Sequence, residues 1–223
     1  MITLKDVKIN FGNFKKPTLD IPFLQIGNNV KLAVTGISGS GKTTLINILC
    51  GLENIDSGSI LWDNTALHSL NQMQKDRFRG ENVGLIMQDF HLYNGLGVLQ
   101  NVLLPSKLRY CKIPEIIAKR ALYLLERLNI HQYLQNIDTL SRGEKQRVAI
   151  ARALVNAPKI IMADEPTASL DKENGKEAVN LLISLAAEFK AALICTTHDR
   201  ALIDKMSYCL ELEKGKKVEA SFL

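Results

Sequence analysis

The chain has 223 residues, 46% hydrophobic and 23% charged, and its 28 basic and 23 acidic residues give a formal charge of +5. Ordinary apolar content without enrichment in glycine or proline excludes collagen-like, disordered and disulfide-framework proteins. No stretch approaches the roughly 20 apolar residues that cross a bilayer, and the first residues lack the apolar core of a secretion signal. We therefore expect one cytosolic domain whose cysteines are reduced packing residues, namely Cys50, Cys111, Cys195 and Cys209.

Strand-type and helix-type segments alternate along the chain. The short apolar run Lys31–Thr35 predicts a strand, and residues 43–52, closing at Gly51, predict the helix that follows a glycine-rich turn. Three further apolar runs, each followed by polar residues, predict buried parallel strands at residues 85–87, 160–163 and 192–197. This alternation predicts an α/β domain.

Helical periodicity is clear in the second half of the chain. Ser141 followed by Glu144 is a capping box that predicts a helix over residues 142–156, ending ahead of Pro158. We expect residues 89–156 to form a largely helical lobe between two core strands. Two more helices are predicted by apolar faces with 3.6-residue spacing: Ile117, Ala121, Leu124, Leu125 and Leu128 in one, and Ala178, Leu181, Leu182, Leu185 and Phe189 in the other.

The segment from Gly36 to Thr43 reads Gly-Ile-Ser-Gly-Ser-Gly-Lys-Thr and matches the P-loop pattern G-x-x-x-x-G-K-[ST]. Its position between a predicted strand and a predicted helix is the context that this motif requires. The glycines let successive N–H groups converge on phosphate oxygens at a helix N-terminus. Lys42 is predicted to reach the β- and γ-phosphates, and the Thr43 hydroxyl is predicted to coordinate Mg²⁺.

A pair of carboxylates follows the predicted strand at residues 160–163. Open α/β sheets place ligands at the carboxyl ends of their strands, where Asp164 and Glu165 stand. We expect Asp164 to hold Mg²⁺, directly or through water, and Glu165 to orient and deprotonate the attacking water.

The run from Leu140 to Arg147, Leu-Ser-Arg-Gly-Glu-Lys-Gln-Arg, resembles Leu-Ser-Gly-Gly-Gln, the signature of ATP-binding-cassette (ABC) transporter ATPases. It departs from that signature at Arg142 and Glu144 and keeps Ser141 and Gly143. The resemblance extends over essentially the whole chain. It implies a P-loop core with a mainly parallel sheet, an N-terminal antiparallel β subdomain and an inserted α-helical lobe, all in one ATPase domain over residues 1–223.

The resemblance also implies how the site works. ATP would bind between two copies arranged head to tail, with Ser141 of one copy facing the γ-phosphate held by the other. Gln88 resembles the Q-loop residue that senses Mg²⁺ and the catalytic water, His198 resembles the switch histidine, and Ser169-Leu-Asp171 resembles the D-loop. Arg142 could face phosphate or solvent.

The site residues fall into three sets. The nucleotide-binding set is Phe11, Gly36, Ser38, Gly39, Ser40, Gly41, Lys42, Thr43, Thr44, Ser141, Gly143, Glu144 and Asp171, with Phe14 as the alternative to Phe11 for stacking on adenine. The catalytic set is Glu165, His198, Gln88 and Lys42. The Mg²⁺ set is Thr43, Gln88 and Asp164.

Among ABC ATPases, residues 49–58, 79–92 and 101–105 resemble the lipoprotein-release, macrolide-export and cell-division subgroup. We expect an identical second cassette and separate transmembrane permease subunits as partners, no nucleic acid, and a peripheral location on the cytoplasmic face of the cell membrane. The alternatives are the ATPase of an uptake system, many of which carry an added C-terminal domain, and a DNA-repair or chromosome-maintenance ATPase. The second would insert long coiled coils between Gln88 and Ser141, where no sustained heptads occur.

Overall fold

The computed structural model describes residues 1–10, 18–168 and 170–222, without the side chains of Lys172 and residues 218–222. In the described chain the strands are β1 Ile2–Ile9, β2 Leu19–Ile26, β3 Lys31–Thr35, β4 Ser57–Trp62, β5 Thr65–Ala66, β6 Val83–Ile86, β7 Ile160–Asp164, β8 Ala192–Thr196, β9 Tyr208–Glu213 and β10 Lys216–Phe222. The helices are α1 Lys42–Cys50, α2 Gln72–Asn82, α3 Val98–Arg109, α4 Glu115–Arg127, α5 Arg142–Leu154, α6 Lys172–Glu188 and α7 Arg200–Ile203. The chain divides into two compact units, Gly80–Ala192 being one and the residues on either side of it the other.

The unit formed by the two ends of the chain contains both antiparallel and parallel strands. β1 pairs antiparallel with β2 and β4, and β4 pairs antiparallel with β5. β3 lies between β8 and β9 and is parallel to both. The expected antiparallel N-terminal region and the parallel strand pairing of β3 are therefore both present in this unit.

The helix α1 follows β3 in this unit. Its side chains Leu45, Ile46, Ile48 and Leu49 are fully buried, which fixes the helix in the apolar core. The helix closes at the predicted Gly51, which adopts the left-handed conformation that terminates helices, so its last residue is Cys50 instead of residue 52.

The unit of residues 80–192 contains the parallel pair β6 and β7 with α3, α4, α5 and α6. The predicted apolar face of α4 is buried at all five positions, Ile117, Ala121, Leu124, Leu125 and Leu128. In α6, Ala178, Leu182 and Leu185 are buried, whereas Leu181 and Phe189 are only half-buried.

Three sequence predictions need correction. The strand predicted at residues 85–87 is β6, Val83–Ile86, and the helix predicted to reach residue 156 ends at Leu154. All four cysteines are free thiols, and burial raises the pKa of Cys50 to about 12, but Cys111 is exposed and is not a packing residue. The separate helical lobe at residues 89–156 stays a prediction.

Candidate functional site

The P-loop connects β3 to α1. Gly36 has a positive φ of 140°, outside the range that residues with side chains normally adopt, and a Cβ there would lie 2.2 Å from the carbonyl oxygen of Leu212. Gly39 and Gly41 have φ of 75° and 99°, which side-chain-bearing residues rarely adopt. The glycine spacing of the motif is thus dictated by backbone geometry and by the close approach of β9.

The start of α1 is suited to an anion. Its N-cap is Gly41, which supplies no side-chain acceptor, and no acidic residue lies in the first turn. The first N–H groups of the helix lie at the positive end of the helix dipole, where no capping side chain or acid competes with an anion. Ser38 and Gly39 on the loop and Thr43 on the helix are exposed, whereas Thr44 is half-buried.

Lys42 and Ser40 supply the polar groups of the loop. The Lys42 ammonium donates to the carbonyl oxygens of Gly36 at 2.8 Å and Ile37 at 3.2 Å, so its side chain lies along the loop. Ser40 is 1% exposed, and its Oγ has no hydrogen-bond partner among the described residues. A buried hydroxyl without a partner is costly. The loop therefore fits a phosphate group, whose oxygens accept from such donors.

His198 follows β8 and is exposed. The turn after it is held by the buried Thr197, whose Oγ1 accepts from the N–H of Asp199 at 2.9 Å. Asp199 in turn caps α7 by accepting from the N–H of Ala201 at 2.9 Å. The histidine thus stands on a turn that its two neighbours fix.

The paired carboxylates lie at the end of β7, whose five residues are all buried. Asp164 is 4% exposed, and Glu165 is half-buried with φ of 48°. A left-handed glutamate is uncommon and costs conformational free energy, and such residues cluster at functional sites. The two residues therefore differ in burial and in backbone conformation, and their separate roles stay predictions.

The predicted capping box of α5 is present. Ser141 Oγ accepts from the N–H of Glu144 at 3.3 Å, and the Glu144 carboxylate accepts from the N–H of Ser141 at 2.8 Å and from its hydroxyl at 2.6 Å. The hydroxyl of Ser141, its N–H group and more weakly Arg147 together hold the pKa of Glu144 below its usual value. Glu144 therefore lies at the helix start as a bound carboxylate.

Gly143 and Asp171 are linked through α6. Asp171 caps this helix by accepting from the N–H groups of Glu173 and Asn174, and the hydrogen bonds from Asn174 hold the pKa of Asp171 below its usual value. A Cβ at Gly143 would lie 3.1 Å from Asn174 Oδ1. The two predicted nucleotide-binding residues are thus brought together by Asn174, which the sequence analysis did not single out.

Gln88 is exposed and lies in a turn closed by a hydrogen bond from the N–H of Phe90 to the carbonyl of Met87, at 3.0 Å. The turn is anchored by Arg152 of α5, which donates to the carbonyl oxygens of Phe90 and His91. Burial lowers the pKa of the Arg152 guanidinium. Arg152 was missed in the sequence because its helical position alone does not reveal these distant carbonyl partners.

A buried asparagine, Asn101, supports the segment that follows. Its Oδ1 accepts from the N–H of Tyr93 at 2.7 Å, and its Nδ2 donates to the Tyr93 carbonyl at 3.2 Å. A single asparagine within the apolar stretch Val98–Leu103 is the sequence signal that could have identified it. The predicted adenine-stacking residues Phe11 and Phe14, and Ser169 of the predicted D-loop, lie outside the described residues.

The fold and the P-loop together define the chain as a P-loop nucleotide-binding protein. The P-loop and His198 belong to one unit, while Gln88, Asp164, Glu165, the signature and Asp171 belong to the other. In the described part of the chain, no group of three or more His, Cys, Asp or Glu side chains could hold a metal ion.

Known proteins identify the family. The sequence model described as ABC transporter matches residues 20–168. A lipoprotein-releasing system ATP-binding protein (LolD) of Treponema denticola is 39% identical over 190 residues, covering 85% of this chain and 84% of that protein. The protein of the same name from Buchnera aphidicola is 38% identical over 184 residues, covering 82% of this chain and 80% of its own.

Solved structures agree. A dimeric ATP-binding cassette in a post-hydrolysis state with ADP and Pi has a TM-score of 0.90 at 31% identity, covering 100% of this chain and 99% of its own. A cassette of Clostridium perfringens that is part of an ABC transporter complex has a TM-score of 0.88 at 28% identity, covering 99% of this chain and 88% of its own. This chain therefore belongs to the ABC transporter family. It is an ATP-binding subunit that hydrolyses ATP to drive transport, and the expected α/β cassette fold is confirmed.

Proposed function

We propose that this chain is the ATPase subunit of a lipoprotein-releasing transporter. The observation that carries the proposal is the extensive identity with proteins of that name, 36% or more over at least four-fifths of this chain. The P-loop and the capped signature helix would supply the two parts that such an ATPase needs. The same relatives favour this function over an uptake system.

The P-loop would bind the phosphates of ATP. The N–H groups at the start of α1 and the Lys42 ammonium would surround the β- and γ-phosphates, and Ser40 Oγ would donate to a phosphate oxygen. Ser38, Gly39 and Thr44 would line the same loop, and Phe11, or alternatively Phe14, would stack on adenine. Stacking of a base on an aromatic ring is worth about 1–3 kcal/mol.

Mg²⁺ fits the oxygen donors of this chain. The ion prefers hard oxygen ligands and is usually held by one or two carboxylates together with the phosphates of its nucleotide. Thr43 would contribute a hydroxyl oxygen, Asp164 a carboxylate and Gln88 an amide oxygen. When bound, Mg²⁺ supplies positive charge that neutralises the β- and γ-phosphates.

The remaining residues would act on the attacking water and on the γ-phosphate. Glu165 would accept a proton from the water and orient it, and His198 would donate to the γ-phosphate. Phosphoryl transfer depends mainly on positioning and on charge stabilisation, so these groups need only be placed correctly. The left-handed backbone at Glu165 supports this role, because residues in such conformations cluster at functional sites.

We further propose that two copies of the chain pair head to tail. Ser141, Gly143 and Glu144 at the start of α5 would then meet the γ-phosphate bound by the partner copy, with Asp171 along the seam. The dimeric form of the related cassettes supports this arrangement. Binding of ATP would close the pair, and hydrolysis would release it.

The transport step would take place in separate transmembrane permeases. Among the described residues, none of the helices combines the length and the apolarity that a membrane crossing requires. We propose peripheral attachment to the cytoplasmic face of the cell membrane, where the chain would drive permeases that extract lipoproteins.

Glu165→Gln tests the catalytic assignment. The variant should bind ATP normally, lose nearly all turnover and accumulate as an ATP-bound dimer, measured by phosphate release and by size-exclusion chromatography. Glu126→Gln, which makes the same charge change on an exposed face of α4, is the matched control and should hydrolyse ATP like the parent. Unchanged phosphate release from Glu165→Gln would remove Glu165 from its role.

The transporter assignment needs a separate experiment. The tagged chain should be purified from membranes, and the associated permease should be identified by mass spectrometry. The complex should hydrolyse ATP faster when a membrane-bound lipoprotein is added, and small solutes should have no effect. Stimulation by a small solute would instead identify an uptake or export system.

A further inference from the structure

Arg142 occupies a signature position that is usually glycine in the family, and its side chain does not extend freely from the helix. The guanidinium carbon lies 5.9 Å from the centre of the Phe90 ring, over its face. A guanidinium within about 6 Å of an aromatic centre is attracted by the ring quadrupole, and arginine stacks on such faces more readily than lysine. The arginine therefore connects the first residue of α5 to a residue 52 positions earlier in the chain.

Phe90 is a key residue of the Gln88 turn. It closes that turn through its N–H bond to Met87, and its side chain is 6% exposed. Phe90 and His91 are both left-handed, with φ of 58° and 47°. Two adjacent left-handed residues other than glycine need surrounding contacts to stay in place. Arg152 holds their carbonyl groups, and Arg142 covers the ring.

We propose that Arg142 is a positioning residue that fixes the Gln88 turn on the first turn of the signature helix. Its charge is used on the Phe90 face instead of on phosphate. Since Arg142 follows the N-cap Ser141 directly, the link makes the Gln88 turn and the signature start move as one body. The inference rests on the proposed function only for the roles of Gln88 and Ser141; the physical link itself needs no nucleotide.

The link can be measured by hydrogen exchange on the full-length chain without nucleotide. The reporters are the N–H groups of Phe90 and His91, which are hydrogen-bonded to the carbonyls of Met87 and Asp89. Arg142→Met keeps an unbranched apolar stem and removes the charged guanidinium, and it should speed exchange at both amides about 2- to 5-fold. Arg142→Lys should give a smaller increase. Arg152→Met, which removes direct hydrogen bonds, is the positive control.

A double-mutant cycle separates this link from a general loosening of α5. Phe90→Leu keeps an apolar side chain without a π face, and Arg142→Met should add nothing further in that background. Phe90→Tyr keeps the face and should restore the effect of Arg142→Met, which covers the case in which Phe90→Leu disturbs folding. Effects of Arg142→Met that are equal in the parent and in Phe90→Leu, or unchanged exchange in Arg142→Met, would overturn the proposal.

Kinetics supply a second readout. Arg142→Met should lower kcat a few-fold and leave KM for MgATP nearly unchanged, since the P-loop is untouched. A rise in KM without faster exchange would mean that Arg142 contacts phosphate, and the proposal would be wrong. Because exchange is measured without nucleotide, its outcome is independent of whether Glu165→Gln behaves as the proposed function requires.

Discussion

Two helices begin at proposed phosphate-binding positions, and they begin differently. At α1 the N-cap is a glycine, the first turn has no acid, and the loop contains a buried hydroxyl without a partner among the described residues. At α5 the N-cap is Ser141, and Glu144 already binds both its N–H and its hydroxyl. The first start is open to an anion, whereas the second is satisfied within its own chain.

The difference indicates that the two helix starts bind phosphate at different steps. A helix start with no capping side chain and no acid in its first turn can bind phosphate favourably at the positive end of its dipole. A capped start with a carboxylate beside it gains less, so it should bind phosphate only when the phosphate is already held elsewhere. This ordering fits a site in which the P-loop binds ATP first and the signature of a second copy follows.

The largest effect is expected for Gly36→Ala. The new Cβ would lie 2.2 Å from the Leu212 carbonyl and 2.6 Å from Ser40 Oγ, so the loop must move. We expect loss of ATP binding and a decrease of about 1–3 kcal/mol in the free energy of unfolding. Gly39→Ala is the matched control, because open space surrounds that position and only backbone strain remains. Titration with a fluorescent nucleotide measures ATP binding, and thermal unfolding measures stability. Normal ATP binding by Gly36→Ala would contradict the proposal that the start of α1 binds phosphate.

The second largest effect is expected for Ser141→Arg. A bulky cation at the start of α5 should block the approach of a nucleotide held by a second copy and lower turnover by about 100-fold or more. Binding of ATP to the isolated chain should stay within about 2-fold, since the P-loop is separate. Ser141→Asn, which keeps a good N-cap, should fold like the parent. Loss of ATP affinity in the isolated Ser141→Arg chain would show that the signature does not act across an interface.

Ser40→Ala should have opposite effects on the stability of the chain without nucleotide and on its affinity for ATP. Removing a buried hydroxyl without a described partner should leave the free energy of unfolding unchanged or raise it by up to about 1 kcal/mol. Binding of ATP should weaken by about 2- to 10-fold, because one donor to phosphate is lost. Calorimetric titration alongside denaturant unfolding provides the comparison. A destabilised protein with normal ATP affinity would mean that the hydroxyl has a structural role only.

The smallest effect is expected for Glu144→Gln at the capped start. The Glu144 pKa is lower in the folded chain than in the unfolded one, so the ionised carboxylate stabilises the fold above its unfolded pKa. That stability is lost as pH falls through the lower folded pKa. Glutamine keeps the capping box without the charge, so the variant should lose less stability than the parent as pH falls below the usual glutamate pKa. Denaturant unfolding at each pH measures the free energy of unfolding, with Glu126→Gln as the control variant. The same pH dependence in the parent and in Glu144→Gln would contradict the prediction.

Local signals explain what the sequence predicted well. The end of α1 follows from Gly51, the start of α5 from the capping box, and the buried face of α4 from its periodicity. Each depends on residues within a few positions of one another, where backbone preference decides the outcome.

The misplaced strand shows where local signals fail. The short apolar run at residues 85–87 predicts a strand that begins after Gly84. In the structure Gly84 lies inside β6, and a Cβ there would be 2.4 Å from the carbonyl of Ala153 in α5. The glycine permits close packing of a helix on the strand, which a single sequence does not reveal.

The contacts that organise the candidate site were equally hidden. Arg142 and Phe90, or Gly143 and Asn174, are far apart in the chain and meet only through tertiary packing. The motif residues could be identified without the structure, but the residues that position them could not.

The left-handed backbone at Glu165 means that thermal stability and catalysis favour different residues at this position. A φ of 48° suits glycine or asparagine better than glutamate, so heat-based screening of random variants should enrich such replacements at this codon. Selection for transport should reject the same replacements. A laboratory lineage evolved for heat resistance alone would then lose ATPase activity first through replacement of Glu165.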